Sequence, residues 1–291
     1  MTVIATGSSL GLAAKLARTL SQDLIIIEEK SFPDGEKYVR VPQKIKGKAI
    51  LVHSTHPPQD ERFIQLLLAI DAVKNSGASK VVVVVPYLAY ARQDKRFMEG
   101  EPISIGVILR SLQVAGADAF ITVDVHNPSS LDEWLNIPHL NVLPIVQLAE
   151  YFKGTLHQPL VLAPDKGAIH RARAIAELLK ASYDYLEKRR DRTTGELSLL
   201  PKNIEVEGKD VLIVDDIIST GSTLMLAAKS VLMNGAKRVH AACTHAILAS
   251  SALDKLYNAG VSDIVATDTI PSPTSKISVA EPLANAVSSL L

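Results

Sequence analysis

A single cysteine, Cys243, in 291 residues leaves no intrachain disulfide framework and fits a reducing compartment. Net charge is also missing, since Lys+Arg and Asp+Glu both number 31. A broadly basic surface for nucleic acid or for an anionic membrane is therefore not expected, although a local basic pocket stays open. Long hydrophobic runs are absent as well. The most apolar stretch, "VVVVVPYLAYA" (81–91), is too short to span a bilayer and is broken by Pro86. The opening "MTVIATGSSLG" lacks the basic segment, apolar stretch and cleavage site of a signal peptide. These absences lead us to expect a soluble, cytoplasmic protein. Neither GxxxxGK[ST] nor GxGxxG occurs, so a nucleotide would have to bind without a P-loop or a dinucleotide fingerprint.

What is present is a repeated alternation. "TVIAT" (2–6), "DLIIIE" (23–28), "KAILVHST" (48–55), "KVVVVVP" (80–86) and "AFITVDV" (119–125) read as strands, nearly continuous in Val and Ile. Such runs are expected where both faces of a sheet are covered. Segments 9–20, 59–76 and 104–115 carry helical periodicity between them. The second half repeats the plan, with strands at 159–164, 184–187, 210–216, 238–244 and 263–268 and helices at 167–180, 222–234 and 250–259. This predicts an α/β protein of two similar doubly wound parallel-sheet lobes, 1–142 and 143–291. The division falls where "IPHLNVLP" lacks clear periodicity. The last helix, in "VAEPLANAVSSLL", is not assigned to either lobe by its sequence, and packing back on the N-terminal lobe is one possibility.

"VLIVDDIISTGSTL" (211–224) drives an apolar run into two acids and then into a loop of small and hydroxylated residues. Ligands of open parallel sheets bind at the strands' C-terminal ends. There, backbone amides and the start of the next helix favour an anion. A phosphate monoester suits a loop of Ser219, Thr220, Gly221, Ser222 and Thr223, with Asp215 and Asp216 accepting hydrogen bonds from sugar hydroxyls. Either acid alone reads equally well as a strand end before a capped helix.

Other strings are less specific by themselves. "YARQDKR" (90–96) follows a strand, and its cations can neutralise a polyphosphate or simply form a solvated loop. "SFPDGEKY" (31–38) is a turn. "VDVHN" (123–127) places Asp124 and His126 two apart at a strand end, hence on one face. "EKRRDRTTGE" (187–196) reads as a charged, mobile hairpin loop, which is also what phosphoryl transfer can use.

Taken together, "FPDGE", "YARQDKR", "VDVHN", "PDKGA" (164–168), "KRRD" (188–191) and "VDDIISTGST" (214–223) resemble the ribose-phosphate diphosphokinase family in order, over essentially the whole chain. The sugar-phosphate loop resembles that of the type I phosphoribosyltransferase fold, and "KRFMEGEPISIG" looks most like the archaeal branch. The resemblance implies transfer of the diphosphoryl group of MgATP to the C1 hydroxyl of ribose 5-phosphate. It implies ATP contacts from Phe32, Asp34, Gly35, Glu36, Arg92, Gln93 and Asp94, with Lys95 and Arg96 left open. Ribose 5-phosphate falls to Asp215, Asp216 and Ser219 through Thr223, Mg²⁺ to His126 and Asp165, and catalysis to Lys188 and Arg190. It further implies a homo-oligomer, a dimer or larger, with the "FPDGE" loop supplied by a neighbouring subunit. Ala168, Ser219 and Ser222 depart from the commoner family pattern but stay small. The rivals are a phosphoribosyltransferase and a non-catalytic regulatory homologue.

Overall fold

The computed structural model describes residues 1–190, 197–199 and 204–291, with backbone alone for 188–190 and 197–199. Its described residues divide into two compact units. The first comprises Met1–Leu143, Thr269–Pro271 and Ser278–Leu291; the second comprises Pro144–Asp268 and Ser272–Ile277.

In the first unit the chain runs β1 (Thr2–Ala5), α1 (Leu10–Thr19), β2 (Asp23–Ile26), β3 (Glu28–Ser31), β4 (Lys37–Arg40) and β5 (Gly47–Val52). It continues through α2 (Gln59–Asn75), β6 (Ala78–Val85), α3 (Ser104–Val114), β7 (Ala119–Val123), α4 (Ser129–Trp134) and β8 (His139–Val142). The second unit holds α5 (Ile145–Phe152), β9 (Leu160–Ala163), α6 (Ile169–Leu179), β10 (Ser182–Tyr185), β11 (Lys188–Arg190) and β12 (Leu197–Leu199). It is completed by β13 (Asp210–Ile218), α7 (Ser222–Met233), β14 (Arg238–Ala246), α8 (Ala252–Asn258), β15 (Val261–Thr267) and β16 (Ser275–Ile277). The last helix, α9 (Ala280–Leu290), belongs to the first unit.

Each unit is built on a six-stranded parallel sheet of the same winding, in the order β2-β1-β5-β6-β7-β8 and β10-β9-β13-β14-β15-β16. The doubled α/β architecture expected from the alternation is borne out. The valine run shows why β6 has no polar face. Val81, Val83 and Val85 pack under α2 and α3, whereas Val82 and Val84 pack on the other face with α1 and α9. In the second unit Val211 and Ile213 face α7 and α8, while Leu212 and Val214 face α5 and α6. The tail is fixed by polar bonds too, because Lys48 Nζ donates to the Leu291 main-chain oxygen at 2.6 Å and Lys80 Nζ to that of Leu290 at 2.8 Å.

Three local readings change. "IPHLNVLP" contains β8, an edge strand paired Phe120 to His139, whose residues are all half-buried and so show no alternation. "DLIIIE" is not one strand, since β2 ends at Ile26 and Glu28 opens an antiparallel hairpin with β4, paired Glu29 to Val39. "DYLE" lies two residues late, because β10 pairs β9 from Ser182 to Tyr185 and Leu186 is already buried.

Candidate functional site

In each sheet the strand order reverses between the first and third strands in sequence, the place where ligands of open α/β sheets generally bind. In the second unit these strands are β9 and β13. Asp165 follows β9 in extended conformation (φ −160°) and caps the turn before α6: its Oδ1 accepts from Gly167 N at 2.8 Å and from Ala168 N at 3.3 Å. Asp215 and Asp216 lie within β13, which runs on to Ile218 in register with β14. The Asp215 Oδ1 accepts from Asp216 N at 3.0 Å, and the Asp216 Oδ1 accepts from Ile217 N at 2.8 Å. Each carboxylate is thus oriented by the amide that follows it.

The chain then turns through Ser219 and Thr220 to Gly221, whose φ of +72° is the left-handed region that favours glycine. A Cβ there would lie 3.2 Å from Leu256. Thr220 Oγ1 and Ser222 Oγ stand 3.2 Å apart. Among the described side chains none caps the start of α7, so its first amides face the loop without a side-chain acceptor. Backbone donors, hydroxyls and the N-terminal end of the helix dipole are thus gathered in one short loop.

Electrostatics there are unusual. Burial, and then the neighbouring Asp216 carboxylate, push the Asp215 carboxyl up to about 8; Asp165 adds to the rise and Arg171 opposes it. Burial likewise raises the Cys243 thiol, opposite Asp215 on β14. Arg171, only 5% exposed in the first turn of α6, is the cation of this acidic cluster, and the motif strings do not include it. A sequence signal did exist: Arg171 occupies a position on the helical stripe formed by Ala168, Ala172 and Ile175, where a charge is out of place.

The first unit holds the residues expected to contact ATP. Arg92, Gln93 and Asp94 lie between β6 and α3. Gln93 Oε1 accepts from the Ser104 hydroxyl at the start of α3, and Asp94 Oδ2 accepts from Asn127 Nδ2 at 2.7 Å. The "RQDKR" and "VDVHN" loops are therefore brought together. One reading of "VDVHN" is overturned: Asp124 and His126 do not share a face by strand alternation. β7 stops at Val123, Asp124 takes a left-handed φ of 46°, and Asp124 is buried while His126 is exposed.

Phe32, Asp34, Gly35 and Glu36 form the exposed tip of the β3–β4 hairpin. Their contacts run within it: Phe32 N donates to the Glu36 carbonyl at 2.8 Å, and Phe32 meets Tyr38 edge-on at 6.2 Å. Lys30 Nζ sits 5.0 Å from the Phe32 ring centre and 4.5 Å from that of Tyr38. Lys188 and Arg190 lie on β11, and their side chains fall outside the described residues.

His126 belongs to the first unit and Asp165 to the second. Among the described residues no group of three or more His, Cys, Asp and Glu side chains is poised to hold a metal. Mg²⁺ borne largely by phosphates and water needs only one or two protein ligands, so such a cage is not required for it. No helix among the described residues is long and apolar enough to cross a membrane.

Comparisons with known proteins agree along the whole chain. A family model for the N-terminal domain of ribose phosphate pyrophosphokinase matches residues 1–116, and one for the phosphoribosyl transferase domain matches residues 145–274. A ribose-phosphate pyrophosphokinase of Methanopyrus kandleri is 43% identical over 100% of this chain and 99% of its own length. That of Pyrococcus furiosus is 46% identical over 89% of this chain and 91% of its own. The crystal structure of phosphoribosylpyrophosphate synthetase from Mycobacterium smegmatis superposes with a TM-score of 0.87 at 27% identity, covering 99% of this chain and 98% of that one.

Proposed function

Since the chain belongs to the ribose-phosphate pyrophosphokinase family and is an enzyme of that class, we propose that it moves the diphosphoryl group of MgATP onto the C1 hydroxyl of ribose 5-phosphate. The C1 oxygen attacks the β-phosphorus in line, the bond from that phosphorus to the α-phosphate oxygen breaks, and AMP leaves. The product is 5-phosphoribosyl 1-diphosphate, and the hydroxyl proton passes to solvent or to a phosphate oxygen. The observation that carries this reading is the end of β13 at Asp215 and Asp216 with the loop from Ser219 to Thr223 that follows it. There a left-handed glycine, hydroxyls and uncapped helical amides form a phosphate cradle beside two oriented acids.

In this reading the 5-phosphate rests on Ser219 through Thr223, and the sugar hydroxyls donate to Asp215 and Asp216. ATP takes its contacts from Arg92, Gln93 and Asp94, and its base from Phe32, Asp34, Gly35 and Glu36. The hairpin tip is offered to a neighbouring subunit of a homo-oligomer, in keeping with the exposed positions of Phe32 through Glu36. Lys188 and Arg190 supply positive charge to the oxygens that become more negative as the phosphoryl group moves, where positioning and neutralisation dominate. His126 and Asp165 would hold Mg²⁺, whose chemistry is to screen the charge of the polyphosphate.

The test is release of AMP from ATP with and without ribose 5-phosphate. Release that requires the sugar is the expected result. Release without it means hydrolysis, and none means that the fold serves another role, such as use of the diphosphate product by a phosphoribosyltransferase.

A further inference from the structure

We propose that Glu29 is a positioning residue for the nucleotide: by seating its carboxylate on the Gly7 amide it fixes the angle of the β3–β4 hairpin, an inference that rests on the function proposed above. The contact is short, Gly7 N donating to Glu29 Oε2 at 2.7 Å. It is a charge-assisted bond to an amide at the start of the turn after β1, where the backbone has an orphan donor.

A hairpin of two short strands is marginal alone and needs anchoring to a body. Directly opposed residues share a face, so the pairing of Glu29 with Val39 puts both on one side, with Glu28 and Arg40 on the other. On that inner side β4 is held twice. Val39 packs against the first unit's core, and Lys37 Nζ lies 2.5 Å from Glu61 Oε2 on α2. For β3 the corresponding hold is Glu29. Arg62 on α2 adds a cation that the Glu29 carboxylate stabilises. The outer side instead carries Lys30 and Tyr38 against Phe32.

The same contact explains why a side chain at position 7 would interfere with it. The φ of Gly7 is not positive, so no turn demands glycine; yet a Cβ at that position would stand 2.8 Å from Glu29 Oε2. A side chain there would push aside the flexible end of Glu29, and with it the carboxylate's seat on the amide. At about 3.3 Å per residue the hairpin tip lies roughly 10–15 Å from Glu29, so a swing of about 10° at the base moves Phe32 by about 2 Å. That is enough to misplace groups meant for a base.

The experiment compares Glu29→Ala, Glu29→Gln, Gly7→Ala, the Gly7→Ala/Glu29→Ala double variant and Glu28→Ala. KM for ATP, KM for ribose 5-phosphate, kcat and thermal stability are measured, with hydrogen exchange over residues 28–40. Glu29→Ala and Gly7→Ala should each raise KM for ATP about ten-fold and speed exchange in the hairpin. KM for ribose 5-phosphate should stay within about two-fold. The double variant should be no worse than either single, because both break one contact. Glu29→Gln, which keeps an acceptor, should fall nearer the parent, and Glu28→Ala, which breaks only the pair with Arg40 within the hairpin, should keep its KM for ATP. An unchanged KM for ATP in an active Gly7→Ala protein overturns the proposal, as does an equal rise for both substrates or additive loss in the double variant. If the parent enzyme releases no AMP, the function is what fails. Hairpin exchange then judges the tether alone, and unaltered exchange in both single variants removes it.

Discussion

Thr6 Oγ1 lies 2.8 Å from His53 Nδ1, and both residues are wholly withdrawn from solvent where β1 and β5 end. Burial, and then the nearby Arg62 cation, hold the His53 imidazole down at about 3, and the same causes hold His56 at about 4. The unfolded chain takes up a proton on each near pH 6.5, whereas the folded chain does not. Stability therefore falls as pH drops from about 6.5 toward these depressed values, by up to about 1.4 kcal/mol per pH unit for each histidine. His53→Gln should lose part of that slope. Denaturant unfolding of both proteins at several pH values between these limits checks it, and parallel pH dependences would count against the assignment.

The acid pair of the second unit has the opposite sign. With Asp215 raised from 3.8 to about 8, the folded protein keeps a proton that the unfolded chain has lost. Stability of the metal-free protein is then expected to decline as pH rises through that window and to level above it. Asp215→Asn removes the penalty, so the variant should gain on the parent in melting temperature as pH rises, while losing affinity for ribose 5-phosphate. A melting-temperature difference that does not change with pH would refute the coupling.

How much of this is legible in the sequence depends on whether the cause is local. Val81 to Val85 announce a strand covered on both faces, and Ser219 to Thr223 announce a loop after a strand, because all the relevant residues are adjacent. Glu28 to Ser31 form a strand with no apolar pattern at all, since the hairpin stands in solvent and is held by Val39 and two ion-paired or hydrogen-bonded side chains. Asp124 misleads for another reason. Alternation predicts its side correctly only while the strand lasts, and the chain turns left-handed at that residue. Arg171 acquires its meaning from Asp215, a residue on another element, so the helix alone shows only a misplaced charge.

A side chain at Gly221 should be strained. Alanine there meets two penalties, a left-handed φ of +72° and a contact of 3.2 Å with Leu256. The backbone term costs about 1–2 kcal/mol, and relief by shifting the loop would move the amides that precede α7. Gly221→Ala is therefore expected to lower the melting temperature slightly and to raise KM for ribose 5-phosphate far more than KM for ATP. Equal effects on the two substrates would mean that the loop does not hold the sugar phosphate.

The β11 residues allow a test that separates binding from catalysis. If Lys188 meets charge that grows on the phosphoryl oxygens only during transfer, its removal costs the transition state and spares the ground state. Lys188→Ala should then lower kcat by about a hundred-fold or more while KM for ATP changes little, because an interaction confined to the transition state lowers kcat and kcat/KM together. Arg189→Ala, outside the proposed catalytic pair, serves as the matched loss of one positive charge from the same strand. Should the two variants lose kcat equally, general charge on β11 rather than a placed ammonium would explain the rate. Should Lys188→Ala raise KM for ATP at unchanged kcat, the lysine would be a binding group and the barrier would be lowered elsewhere.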